Sequence, residues 1–300
     1  ATIEKIAINC AMAGCRPEYT PVVVAAVEAM LEAKFNLNGV QCTTHSCEPL
    51  VMVSGPIVQQ LGFATAEAVF GGGGGRPNAT IGRAVRLILW NVGGGYPGEP
   101  CKEIIGHPGR YSFCVPEDGV NSPWPPIHAD YGLPAEANAV TVFACEAPHS
   151  TGVFFGTDLS AKMICDVIAD TMSAKGTNNT HVMGESLVVF SPIAAKHVAD
   201  DGWSKRDVRK YLFEKARRRL GDLRPVSPRR PNLDAEHWYP WWPKWVNQAS
   251  EDTMVPVVER PEAIHVIVTG GHGIPFCSVC PGWGDYGGFA VSREIRLPSQ

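Results

Sequence analysis

Residues 3–43 read IEKIAINCAMAGCRPEYTPVVVAAVEAMLEAKFNLNGVQCT, and the fold class follows from how this stretch is divided into elements. The run IEKIAINC (3–10) is predicted as a buried strand, with the loop AMAGCRPEY behind it. Thr20 then caps a helix whose first residue is Pro21, a position where the missing N–H costs nothing. Val23, Val27, Met30 and Leu31 fall on one apolar face at helical spacing. NGVQCT (38–43) is predicted as a second strand, which makes the opening a βαβ unit.

The alternation continues along the chain. A short helix is expected within 56–69. Asn78 or Thr80 caps another that runs to about Asn91, where Gly93–Gly95 end it. Residues 96–136 carry eight prolines and little periodicity, as in a long ordered loop. AVTVFAC (139–145), ESLVVFS (185–191) and AIHVIVTG (263–270) are strands, and a helix covers 158–174. Ser204 opens a further helix, with Asp207 three residues on in a capping-box arrangement and Val208, Tyr211, Leu212 and Ala216 on its apolar face. Alternating elements predict an α/β fold with mixed or mostly parallel sheets, flanking helices and long Pro/Gly-rich loops. Two intimate lobes are expected, residues 1–137 and 138–300.

A chain of 300 residues buries a sizeable core. Its hydrophobic content of 45% and charged content of 19% are ordinary for a globular protein, and a net charge of -4 gives no general affinity for nucleic acid. No apolar run approaches the ~18 residues of a membrane span. The segment from Ala1 to Cys10 does not resemble a secretion signal, so the expected compartment is the cytoplasm, with reduced thiols. The start at Ala1 without Met fits a trimmed product or one subunit of a processed protein.

Ten cysteines include three close pairs: Cys10/Cys15, Cys42/Cys47 and Cys277/Cys280. Cys15 stands in a turn before a predicted helix, next to Arg16, and both a helix N-terminus and a cation favour thiolate. CTTHSCEP (42–49) places His45 at the end of the predicted second strand. In a parallel sheet that end lies beside the Cys15 loop, so Cys15 and His45 form a candidate nucleophile–base couple. Cys277 and Cys280 form a C-x-x-C after a strand. Glycine-rich PGWGDYGG follows, which excludes a thioredoxin-like helix. The pair suits a reversible redox couple or, with His272, part of a transition-metal site.

The five-glycine run before Arg76 and Asn78 suggests an anion cradle at a helix start, with Arg76 as clamp. His107, Tyr111 and His128 lie in the proline-rich stretch as candidate substrate-binding residues, and Glu117 and His128 as candidate acid/base groups. Residues 205–230 hold eleven Lys/Arg against three acidic residues, read as a solvated basic face. HWYPWWPKW (237–245) packs four tryptophans into nine residues, as in a subunit interface or a pocket wall.

The segments IEKIAINCAMAGCRPEYTPVVVAAVEAM, GRPNATIGRAVRLILWNVGG, GHPGRYSFC with SPWPPIH, and GWSKRDVRKYLFEKAR resemble the large domain of the UGSC-type (seleno)protein family. The family's name-giving redox motif is absent from this chain. The resemblance implies a thiol-chemistry setting and a companion domain or subunit.

The expectation from sequence is a cysteine-dependent enzyme. It would act on a small molecule by thiol redox or nucleophilic chemistry through Cys15, His45, Cys277 and Cys280. One alternative is a metal-dependent hydratase, hydrolase or lyase with Cys277, Cys280 and His272 as ligands, the only cofactor suggested. Another is a non-catalytic subunit of a heteromer. An oligomer is expected in each case.

Overall fold

A computed structural model describes residues 1–72, 74–154, 156–227 and 242–297. The tryptophan-rich stretch lies outside these residues through Trp241, as do residues 228–230 of the basic run. The chain is α/β, and its sheets are mixed, with helices on their outer faces.

The opening is not βαβ. Residues Ile3–Ala13 form helix α1, and Thr2 caps it by accepting the Lys5 N–H at 3.3 Å. Only Ile6, Asn9 and Cys10 of this helix are buried, a spacing of three and four that marks one helical face. A short apolar run cannot be assigned to strand or helix by periodicity alone, and here the cap and the alanine-rich tail decide. The expected second strand is also helical, Leu37–Cys42, capped by the Asn36 side chain on Gly39 N. Helix α2, Thr20–Met30, forms and buries Val23, Val27 and Met30, but Thr20 is its first residue rather than its cap, the N-cap being Tyr19 without a side-chain hydrogen bond, and Leu31 lies beyond its end and is exposed.

The first strand is β1, Glu48–Ser54. Helix α3, Arg76–Asn91, and strands β2, Cys114–Pro116, and β3, Ala139–Cys145, complete the first half. Strand β4, His149–Gly152, leads to helix α4, Ala161–Met172, and strand β5, Ser186–Phe190. Helices α5, Pro192–Asp200, and α6, Lys205–Lys215, follow, the latter with the expected capping box from Ser204 and Asp207. Strands β6, Ile264–Val268, β7, Phe276–Pro281, and β8, Val291–Glu294, end the fold.

One sheet has the order β8-β3-β1-β2 and the other β6-β5-β7-β4. β1 runs parallel to β2 and antiparallel to β3, and β5 runs parallel to β6 and antiparallel to β7. Strands β3 and β8 come from beyond residue 137, yet they belong to the sheet of β1.

Strand alternation builds four layers. Val51, Val53, Val140 and Val142 pack under α1, α2 and α3 with Ile6, Val23, Ala26 and Ile81. Val188, Phe190, Val266 and Val279 pack under α4, α5 and α6 with Ile164, Ile168 and Leu212. The odd-numbered and even-numbered neighbours face the other way: Leu50, Met52, Phe143, Leu187, Val189 and Ile267 form the seam between the sheets. Strands covered on both faces read as unbroken apolar runs, which is why β3, β5 and β6 were visible in sequence.

At the end of β1 the chain turns at Gly55, with φ +95, and an added Cβ would lie 2.1 Å from the Ala137 carbonyl oxygen. Only glycine fits that turn.

Phe143 is 1% exposed in the seam, with its ring edge-to-face on His265. Phe143→Ala is expected to destabilise the fold by about 3–5 kcal/mol through the cavity it leaves, read as a drop in the urea midpoint. A loss under about 1 kcal/mol would mean that the two sheets do not pack through this residue.

Candidate functional site

The turn before β1 carries His45, and Glu146 is the first residue after β3. The ladder pairs Glu48 with Cys145, so both residues are delivered to the same end of the sheet. There His45 Nε2 stands 3.1 Å from Glu146 Oε1, and Glu146 also accepts the Asn178 N–H at 2.9 Å. Residues 104–107 reach the same place. Ile104 N donates to Thr44 O at 3.2 Å and Gly106 N to Ser46 Oγ at 3.0 Å, which ties this loop to the His45 turn.

Between these segments lies a cavity of about 760 Å³. Its polar lining includes His45, His107, Glu146, His149, Asp170 and Arg218, and the exposed Ile104 and Ile105 stand at its rim. His107 Nδ1 accepts the Gly109 N–H at 3.1 Å, so the neutral ring carries its proton on Nε2. Burial pushes the His107 pKa down, with the Cys145 carbonyl and Glu103 pulling the other way. Its Nε2 is buried with the Cys145 carbonyl as its neighbour, and Nε2 of His45 and Nε of Arg218 are buried without a well-aligned hydrogen bond. The cavity therefore brings a histidine beside a carboxylate together with a second histidine and an arginine.

A buried ionic cluster holds this loop. Glu48 is fully buried and receives both Arg86 and Arg110, the latter at 2.6 Å, and Arg110 also pairs with Glu103. Cys47 is buried beside them. Burial, Glu103 and Glu146 push its thiol pKa up, so it stays protonated and inert.

The remaining sequence candidates do not meet here. Cys15 follows α1 rather than a strand, and its neighbours are Cys10, Thr80 and Arg76, whereas His45 pairs with Glu146. The expected Cys15–His45 couple required a parallel strand before each loop, and neither strand exists. Cys277 and Cys280 lie within β7, three residues apart, so their side chains leave opposite faces. Cys277 packs under α4 and Cys280 into the seam between the sheets. They cannot chelate one ion with His272, which is exposed in the turn before β7. Among the described residues, no three His, Cys, Asp or Glu side chains are placed to hold a metal.

Arg76 donates Nε to the Gly14 carbonyl at 2.9 Å, bracing the end of α1. Asn78 is buried and bonds both backbone groups of Ala64. Tyr111 is exposed, with the Arg83 guanidinium 4.3 Å from its ring centre. None of the three faces the His45 cavity.

His128 belongs to the opposite end of the sheet. Its Nε2 donates to Pro134 O at 2.9 Å, so Nδ1 accepts the Ser54 hydroxyl at 2.6 Å. Both residues are fully buried, which makes this couple structural. Nearby, a cavity of about 360 Å³ lies where β1 and β2 end, lined by Gly55, Glu117, Asp118 and Trp124. Burial pushes the Glu117 carboxyl from 4.5 up to about 7, opposed by Lys205 and the Ile127 N–H. Its neighbour Asp118 is saturated by Val120 N, Asn121 N and Asn121 Nδ2.

Sequence reasoning missed Glu146, Arg218 and Asp170. Each sits on an ordinary charged stretch, and only the ladder and the sheet-end geometry bring them to the histidines.

Glu117 yields a pH test. The folded chain holds this proton more tightly than the unfolded one, so its stabilising contribution is complete below about pH 4.5 and lost as pH rises through about 7. At ~1.4 kcal/mol per unit the loss is at most about 3.5 kcal/mol. Glu117→Gln is expected to flatten that part of the stability curve in urea titrations from pH 4 to 8. An unchanged slope would assign the decline to other groups.

Comparison with protein-family models, with curated proteins and with solved structures finds no match to this chain.

Proposed function

We propose that the chain is an acid–base enzyme acting on a small carboxylate-bearing carbonyl compound in the cavity between His45, His107 and Arg218. The observation that carries this reading is the convergence of His107 and Arg218 on the cavity lined by the His45–Glu146 pair.

The roles follow from geometry. Glu146 faces Nε2 of His45 and orients the ring, which leaves Nδ1 to exchange a proton with substrate. Arg218 matches a carboxylate by charge and hydrogen bonding. His107, kept neutral by burial, donates Nε2–H to the oxygen on which charge develops when a neighbouring C–H is deprotonated. The exposed Ile104 and Ile105 give the cavity mouth an apolar rim, suited to the carbon skeleton of such a compound. The reaction class is proton abstraction next to a carbonyl, as in an isomerisation or an elimination, and it needs none of the cysteines.

The test uses a panel of C3–C6 oxo- and hydroxy-carboxylates in D₂O. Saturation-transfer NMR reads binding, and loss of the α-C–H proton signal reads proton abstraction. At least one oxo-acid is expected to bind and exchange. His45→Gln should slow exchange about a hundredfold or more, with affinity held within a few-fold. Arg218→Gln should weaken binding about tenfold or more. Exchange that persists in His45→Gln, or a panel with no binder, would overturn the proposal.

A further inference from the structure

Helix α1 ends in two nested backbone hydrogen bonds. Gly14 N donates to Ala11 O at 3.0 Å, and Cys15 N donates to Cys10 O at 2.9 Å, with Gly14 at φ +84. This termination motif folds the residue after the glycine back onto the residue five positions earlier, where two apolar side chains ordinarily touch. In this chain both positions are cysteine. The spacing C-x-x-x-G-C thus encodes a thiol–thiol contact in the backbone itself, and the two side chains lie within hydrogen-bonding reach.

The two thiols differ in surroundings. Cys10 is 3% exposed and belongs to the core under α2. Cys15 is half-buried, with Sγ 3.3 Å from the Thr80 carbonyl and Arg76 anchored alongside on Gly14. The Cys10 hydrogen bond is the largest influence lowering the Cys15 pKa, with Thr80 and Arg76 helping and burial opposing, while Cys10 is raised. A half-open thiol with a lowered pKa over a closed thiol with a raised one is the division of labour of a nucleophilic and a resolving cysteine.

The other cysteines serve as internal comparisons. Cys145 and Cys280 also contact each other, but both are fully buried and out of reach of a solute. Cys42 is half-buried like Cys15, yet the one hydrogen bond of its sulfur is a 3.8 Å contact to Asn38.

We infer that Cys10 and Cys15 form a redox-active dithiol that closes to an intramolecular disulfide by exchange with a small-molecule disulfide. The Cys15 thiolate attacks one sulfur of the reagent RSSR, forming Cys15–S–SR and releasing RS⁻, which takes up the proton that Cys15 had given to solvent. The Cys10 sulfur then attacks the Cys15 sulfur and expels the second RS⁻, which leaves with the Cys10 proton. Two protein thiols lose two electrons, and RSSR is reduced to two RSH. Closure needs Cα atoms about 4.4–6.8 Å apart, with which a direct backbone hydrogen bond between the two residues is compatible.

The experiment treats the full chain with oxidised glutathione, quenches with N-ethylmaleimide under denaturing conditions, and maps thiols by peptide mass spectrometry. The wild type is expected to lose two alkylation sites and show a Cys10–Cys15 cross-link. Cys10→Ser is expected to retain one glutathione on Cys15, and Cys15→Ser neither adduct nor cross-link. In the untreated chain, Cys15 should alkylate about tenfold faster than the similarly half-buried Cys42. Ten free thiols after treatment, a cross-link to Cys114 instead, or glutathione spread equally over Cys15 and Cys42 would each overturn the inference. The wild-type map requires no substitution, so a variant that fails to fold leaves the test intact.

Discussion

The ladder between β1 and β3 is the constraint on which the molecule depends. Seven consecutive pairs, from Glu48↔Cys145 to Ser54↔Ala139, are buried on both faces. Side chains alternate, so one register assigns every valine to the helices and every Leu50, Met52 or Phe143 to the facing sheet. A slip of one residue would invert both cores at once. The same register fixes what hangs from its two ends. At one end the His45 turn meets Glu146; at the other, Ser54 meets His128, and Gly55 presses against Ala137.

The first residue of that ladder is a fully buried glutamate, which would cost several kcal/mol alone. Two guanidinium groups answer it. Arg86 comes from α3, where it is buried on an otherwise apolar face; burial, with Arg110 close by, pushes its pKa down to about 10, so it remains charged at neutral pH. Arg110 comes from the proline-rich loop and is shared with Glu103. Two cations and two carboxylates therefore close a nearly neutral cluster that ties a helix, a strand and a loop together. That loop carries His107. A segment poor in regular hydrogen bonding can hold a histidine at a defined angle only if something fixes it, and this cluster does so.

Much of the architecture was legible because burial on two faces leaves a plain mark. AVTVFAC, SLVVF and IHVIV are continuous apolar runs, and the Ser204–Asp207 box starts α6 where its spacing says. The opening misled because eight residues of IEKIAINC suit either element. The deciding signals were the Thr2 cap and Gly14 at the far end, both local and both available in the sequence. β1 was hidden by its acidic first residue and Pro49, which look like a turn until the buried arginines are known. The site was half legible. His45 and His107 could be picked by type, but Glu146 and Arg218 are ordinary charges until distant strands converge. C-x-x-C misled for a geometric reason: in a strand, an odd spacing sends two side chains apart, whereas the same spacing on a helix would bring them together.

The same geometry sorts the thiols. Cys114, Cys145, Cys165 and Cys277 on sheets or helices, and Cys47 in the turn before β1, are buried where burial raises their pKa, so they behave as small apolar residues. A cysteine becomes chemically distinct when the backbone brings a second polar group to it before any packing does. The end of α1 meets that condition, because a left-handed glycine and two nested hydrogen bonds decide the contact locally. The cavity at the start of β1 is the opposite case: its histidines, glutamate and arginine are assembled only by the long-range ladder. Local unfolding at the α1 terminus would therefore disrupt the thiol pair without touching the His45–Glu146 pair, whereas a change in sheet register would dismantle the cavity and leave the α1 cap intact.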